Sequence, residues 1–288
     1  MSIEVRNITH IYSEGLPHES TALEGVSFDV EDGEFVGIIG HTGSGKSTLV
    51  QHLNGLLKPK SGTITVGGEE ITAEGVPMAK IRKKIGLVFQ YPEYQLFEET
   101  VEKDVAFGPK NLDLSEEEVD EAVRAAICLV GLDYEEVREK SPFELSGGQK
   151  RKVAIAGVIA MCPEVLILDE PTAGLDPKAH REILRMIQDI HREQKAIIIL
   201  ISHNMNDIAA LSDKVLVMEQ GKLAMCGSPE EVFSREEELS AMGLELPETA
   251  KLVSDLRRRG VLVEGSIFTV DQAEEAIAEA FGAGGQQR

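Results

Sequence analysis

Gly40, His41, Thr42, Gly43, Ser44, Gly45, Lys46, Ser47 and Thr48 form a stretch whose residue types and spacing suit a polyphosphate. They satisfy the P-loop pattern G-x-x-x-x-G-K-[ST] between an apolar run, Phe35–Gly40, and a helix-like stretch, Ser47–Leu57. Glycines here open backbone conformations closed to residues with a Cβ, so successive N–H groups can face phosphate oxygens. The positive end of the following helix adds to that attraction. Lys46 would place a point charge on the β- and γ-phosphates, and the Ser47 hydroxyl would be one ligand of a bridging Mg²⁺.

Other stretches carry matching chemistry. Leu145–Gln149, L-S-G-G-Q, leads into a helix expected over Lys150–Met161. There Ser146, Gly147, Gly148 and Gln149 offer a second phosphate-binding helix end, this one without a lysine. The apolar strand Val165–Leu168 delivers Asp169 and Glu170 to its C-terminal edge. Asp169 suits the hydration shell of Mg²⁺, and Glu170 suits the polarising of an attacking water. Desolvating an unpaired carboxylate costs several kcal/mol, so adjacent acids at a buried strand end argue for chemistry rather than packing. His203 follows the strand Ala196–Ile201, and in this company it reads as a γ-phosphate partner. Tyr12 ends the first strand, where its ring could stack on an adenine.

The elements that must position these residues alternate between strand and helix. Strands are expected at Ile3–Ile11, Val26–Val30, Gly62–Val66, Glu70–Thr72, Ile85–Phe89 and Lys214–Glu219, the last turning at Gln220 and Gly221 into Lys222–Cys226. A helix is expected over Pro177–Gln194. Such alternation implies an α/β fold whose largely parallel sheet is covered on both faces. From Tyr91 to Ser141 the pattern turns helical, at Thr100–Phe107, Glu116–Val130 and Tyr134–Glu139, with Ser115 and Glu118 as a capping box. This stretch reads as a helical insertion. Short helices at Pro229–Phe233, Pro247–Arg259 and Asp271–Phe281 end the chain, and Gly282–Arg288 should fray.

Composition narrows the function. The 288 residues carry 29 Lys and Arg against 50 Asp and Glu, a net charge of −21 that repels nucleic acid and anionic lipid. Basic clusters at Lys80–Lys84 and Arg257–Arg259 are expected to be solvated helix ends. Cys128, Cys162 and Cys226 lack metal-ligand spacing and fit reduced thiols of the cytoplasm. The longest aliphatic run has the length of a buried strand, so no membrane span is expected.

The ordered set of P-loop, Gln90, L-S-G-G-Q, V-L-I-L-D-E, A-G-L-D and S-H resembles the ATP-binding subunits of ABC transporters over roughly residues 1–230. The resemblance implies a P-loop ATPase with a helical subdomain near 91–160 and an antiparallel N-terminal β subdomain. It also implies a head-to-tail dimer with two ATP molecules, each between the P-loop of one subunit and the L-S-G-G-Q of the other. By that resemblance, Lys46, Gln90, Glu170 and His203 are catalytic. Ser47, Gln90 and Asp169 hold Mg²⁺, and Gln90 senses the membrane partner. Tyr12, the P-loop and Ser146–Gln149 bind ATP.

A narrower resemblance rests on Tyr12–Thr21, on the P-loop continued as L-V-Q-H-L-N-G-L-L-K-P, and on V-F-Q-Y-P-E-Y-Q-L-F running on to V-A-F-G-P-K-N-L. These look like the ATPases of energy-coupling factor importers of vitamins or transition-metal ions. A P-loop threonine and the pair Gln51, His52 look most like the second of that system's two ATPase subunits. The tail, with T-V-D-Q-A at Thr269–Ala273, is similar to that family's C-terminal dimerisation domain, expected here as residues 231–288. Implied partners are a second ATPase, a transmembrane coupling subunit and small membrane solute-binding subunits, at the cytoplasmic face of the membrane. Glu93, Glu98, Glu99, Glu102 and Asp104 suggest an acidic groove for basic coupling helices. A conventional ABC transporter ATPase and a soluble non-transport ABC ATPase are the alternative readings.

Overall fold

In the computed structural model, which describes residues 1–112, 114–261, 263, 265 and 267–283, the strands sort into two sheets. An antiparallel sheet has the order β2-β1-β4-β5, from β1 (Ile3–Tyr12), β2 (Ser20–Val30), β4 (Ser61–Val66) and β5 (Glu69–Glu70). The larger sheet has the order β10-β9-β3-β8-β7-β6. It is built from β3 (Phe35–Ile39), β6 (Ile85–Val88), β7 (Val165–Asp169), β8 (Ile197–Ile201), β9 (Lys214–Glu219) and β10 (Lys222–Gly227). Its pairings are parallel except for β9 with β10, which form the expected hairpin through Gln220 and Gly221, both at positive φ.

Strand residues alternate between two cores, as a period of two requires. Leu166, Leu168, Ile198 and Leu200 face a helical layer. It comprises α3 (Val101–Lys110), α4 (Glu116–Leu129), α5 (Tyr134–Val137), α6 (Gly147–Ile159) and α7 (Pro177–Gln194). Val165, Ile167, Ile197 and Ile199 face the other way, toward α1 (Lys46–Leu53), α2 (Met78–Lys84) and the antiparallel sheet. Both faces are therefore covered, the second largely by strands rather than helices. Ser115 caps α4 through a reciprocal pair with Glu118, the capping box its spacing predicts.

Several expected bounds move. α1 stops at Leu53 rather than Leu57, because Asn54 donates its side-chain amide to the Ile85 carbonyl and Gly55 turns the chain at positive φ. β2 begins at Ser20, ahead of the expected Val26. The helices α2, α8 (Met205–Leu211) and α10 (Glu236–Ala241) carry patterns too short for periodicity to announce. From α9 (Pro229–Phe233) onward, Val232, Phe233, Leu239, Leu244 and Leu246 still pack into the core of the helical layer. A separate small core of Val253, Val263, Ile267 and Ala273 joins α11 (Glu248–Arg258) to α12 (Val270–Ala283). α12 reaches Ala283, within the stretch expected to fray, and residues 284–288 lie outside the described residues. Arg257 is more engaged than a solvated helix end, donating to the carbonyls of Val263 and Gly265 at 2.8 and 2.5 Å.

Candidate functional site

Parallel register gathers the predicted residues at one sheet edge. The P-loop follows β3, Asp169 ends β7 and Glu170 follows it, and His203 follows β8. Gln90 stands two residues beyond Val88, which pairs with Leu168, and Glu170 stands two beyond Leu168. All lie at the C-terminal ends of adjacent parallel strands, where open α/β sheets bind ligands.

The loop is braced from behind by the β9–β10 turn, whose Gly221 N–H donates to the Ser44 carbonyl at 3.1 Å. Gly45, at φ 102°, leaves no room for a side chain, since a Cβ would stand 2.6 Å from the Ala22 carbonyl. Gly43 also has positive φ, but open space lies where its Cβ would be. Ser44 Oγ is buried without a partner. An orphaned hydroxyl beside an open, glycine-bounded turn fits an anion supplying the missing acceptor.

Lys46 is buried and curls over its own loop, donating to the carbonyls of Gly40 at 2.7 Å and His41 at 2.9 Å. Two of its three protons are thus placed, leaving one for a ligand. Burial pushes its ammonium below the ordinary value, which the charges of Glu170 and Asp169 oppose. Burial also pushes the Asp169 carboxyl up, opposed by a hydrogen bond from Ser47 and by the charges of Lys46 and His203. Glu170 sits in the left-handed region at φ 51°, pinned by its N–H donating to the Ile201 carbonyl at 3.0 Å. A strained residue held by the neighbouring strand is a mark of functional placement. Its Oε1 lies 2.6 Å from His203 Nε2.

Among the described residues, no group of three or more His, Cys, Asp or Glu is placed to hold a metal ion. Ser47 and Asp169 are nevertheless hard oxygen donors in mutual contact. They suit a cation such as Mg²⁺, which takes one or two protein oxygens and completes its shell with phosphate and water.

Tyr12 is 41% exposed, and its hydroxyl lies 3.2 Å from Thr48 Oγ1, so the ring is tied to the P-loop helix. Ser146 and Gln149 are used within their own helix end: Ser146 Oγ accepts from the Gln149 N–H, and Gln149 Oε1 accepts from the Ser146 N–H. Above that capping box no Cβ-sized neighbour approaches Gly147. No hydrogen bond or ion pair among the described residues joins this end to the P-loop.

The arginine just past L-S-G-G-Q was not singled out by sequence reasoning. Arg151 is 1% exposed and grips Glu93 with two nitrogens, at 2.9 and 2.5 Å. It also donates to the carbonyls of Pro171 and Ala173 at 3.1 and 2.6 Å. One guanidinium thus ties α6 to the segment after Gln90 and to the loop after Glu170. In sequence it stands between Lys150 and Lys152, where it looks like surface charge.

The expected acidic groove is largely neutralised at home. Glu93 is taken by Arg151, Glu99 pairs with Lys103, Glu102 meets Tyr134 and Arg138, and Asp104 accepts from the N–H groups of Phe97 and Glu98. Of the five carboxylates, only that of Glu98 stands outside any such pair among the described residues. The adjacent groove, about 650 Å³ between α2, α3, α6 and β6, is instead mainly apolar, with Leu56, Phe97 and Phe107 exposed along it.

A phosphate-binding turn, a strand-end acid pair and a helical layer presenting a second glycine-bearing helix end define a P-loop ATPase of the ABC class. A family model described as ABC transporter matches residues 23–173. The chain belongs, more narrowly, to the energy-coupling factor transporter ATP-binding proteins. It is 56% identical to the protein of that name, EcfA2, from Clostridium tetani, covering 98% of each chain, and 57% identical to that of Caldanaerobacter subterraneus, covering 96% of each. Among solved structures, cbiO1 of Clostridium perfringens, described as part of the ABC transporter complex cbiONQ, matches with a TM-score of 0.73 at 39% identity, over 88% of this chain and 98% of that one. A dimeric ATP-binding cassette in a post-hydrolysis state with ADP and Pi matches with a TM-score of 0.70 at 27% identity, over 79% and 98%.

Proposed function

We propose that the chain is the second ATPase subunit of an energy-coupling factor importer, driving uptake of a vitamin or transition-metal ion through membrane partners. The observation that carries this reading is the single sheet edge where Lys46, Ser47, Asp169, Glu170 and His203 converge. Near full-length similarity to energy-coupling factor ATPases supports the transport role.

Lys46 and the backbone N–H groups of Gly43–Ser47 hold the phosphates, with Ser44 Oγ offered to an oxygen. Ser47 and Asp169, together with Gln90, would hold Mg²⁺, which would supply neutralisation of charge on the phosphates. Glu170 orients a water and receives its proton, and His203 steadies both Glu170 and the γ-phosphate. Tyr12 stacks on the adenine. Ser146–Gln149 serve the nucleotide of a partner subunit, which accounts for a glycine-rich helix end with no lysine and no hydrogen bond to its own P-loop.

No helix among the described residues is long and apolar enough to cross a membrane. The chain sits peripherally on the cytoplasmic face, and the apolar groove between α2, α3 and α6 receives a helix of the transmembrane coupling subunit. Glu98, which feels Lys103 but makes no ion pair among the described residues, is the one of the five carboxylates left for a basic residue. Residues 231–288 form the C-terminal dimerisation domain, pairing with the second ATPase. Gentle purification from native membranes followed by mass spectrometry tests this assembly. A second ATPase, a coupling membrane protein and several small membrane proteins should co-purify, whereas a single dedicated permease or a wholly soluble complex would overturn it.

A further inference from the structure

Behind Tyr12 lies a closed ring of side chains that phosphate chemistry does not use. On β1, His10 and Tyr12 are two residues apart and share a face, with ring centroids 4.5 Å apart in an edge-on contact. On α1, Thr48 and His52 are four apart and share a face. His52 Nδ1 lies 2.7 Å from the Thr48 carbonyl, and His52 Nε2 lies 3.0 Å from His10 Nδ1. The Tyr12 hydroxyl closes the circuit on Thr48 Oγ1. Pairing between β1 and β2 is irregular across Ile8, His10 and Ile11, a distortion of the kind that re-aims side chains near sites.

The protons follow from the partners. A carbonyl only accepts, so His52 Nδ1 carries a hydrogen and donates to Thr48. The Lys58 carbonyl also stands within hydrogen-bonding reach of the ring; with the single proton of neutral His52 on Nδ1, Nε2 accepts and His10 Nδ1 donates to it. That leaves His10 Nε2 a buried lone pair without a donor. Burial pushes His52 below its ordinary value, in keeping with the neutral ring. A chain of directed hydrogen bonds with one buried atom unsatisfied is a costly arrangement for packing alone.

We propose that His10 and His52 are positioning residues for the nucleotide base, fixing the Tyr12 ring against the P-loop helix before any nucleotide arrives. This rests on the reading of Tyr12 as the adenine platform. The pair touches no reacting atom; it lowers the ordering that binding would otherwise require, so it acts on affinity rather than on chemistry.

The test compares the full-length chain with His10→Ala, His10→Asn and Tyr12→Ala, measuring ATP affinity, the affinity of inorganic tripolyphosphate, which has no base, and, in the assembled ATPase pair, kcat at saturating ATP. His10→Ala should weaken ATP about 10-fold while leaving kcat and tripolyphosphate affinity unchanged. His10→Asn keeps a donor for His52 Nε2 and should recover part of the loss. Equal weakening of ATP and tripolyphosphate by His10→Ala would mean a damaged P-loop and would overturn the proposal. If Tyr12→Ala weakens ATP but neither His10 variant does, the platform stands and the positioning role falls. If Tyr12→Ala changes nothing, the platform reading fails, and the role of the histidines with it.

Discussion

Glu170 Oε1 and His203 Nε2 stand 2.6 Å apart, bridging the ends of two adjacent parallel strands. The contact ties the carboxylate, on a residue pinned at positive φ, to the neighbouring strand end. Glu170→Gln keeps shape and the capacity to bind ATP but removes the proton acceptor. Steady-state hydrolysis by the assembled ATPase pair should fall at least about 100-fold while ATP binding persists. Phosphate release at the wild-type rate would remove Glu170 from its role.

Arg151 and Glu93 form the most buried side-chain ion pair among the described residues, with side chains 2% and 17% exposed. Removing one partner leaves an uncompensated charge, at a cost of about 3–5 kcal/mol. Arg151→Met should therefore lower unfolding stability in urea by about 3 kcal/mol. Adding Glu93→Met should restore much of that loss, and a double variant as unstable as the sum of the single ones would deny the coupling.

Phe107 is 51% exposed beside Phe97, their ring centroids 5.0 Å apart, so it contributes little to the core. Phe107→Asp should leave the melting temperature and ATP affinity of the isolated chain near those of the wild type. Recovery of the membrane partner in co-purification should drop sharply. Undiminished recovery would place the docking surface elsewhere.

Asp207 supplies a pH dependence. Burial holds its carboxyl above the ordinary 3.8, outweighing the hydrogen bond and charge of His180. The folded chain therefore binds this proton more tightly than the unfolded chain. The contribution is fully present below 3.8 and is lost as pH rises through the folded-state value. Asp207→Asn abolishes the titration, so its melting temperature should gain on the wild type between about pH 4 and about pH 7. A difference that shrinks over that interval contradicts the assignment.

Local spacing made much of this protein legible from sequence. The P-loop, the Ser115–Glu118 capping box, the acids at the end of β7 and the Gln220–Gly221 hairpin each depend on residues within a few positions of one another, where backbone chemistry dictates conformation. The alternation of strand and helix likewise foretold a parallel sheet with both faces buried. Bounds slipped where tertiary partners intervened, as at α1, whose end is set by Asn54 reaching the Ile85 carbonyl. The acidic run after Gln90 looked free because sequence does not show that Arg151, 58 positions from Glu93, or Arg138 would claim its members. His10 and His52, 42 positions apart, became one hydrogen-bonded pair only when β1 was laid against α1. Sequence by itself determined which chemical groups stand at each element's end, because turn and capping geometry are local. Only the tertiary structure decided which charges are paired and which are left for a ligand or partner, because pairing depends on distances that close when sheets and helices pack.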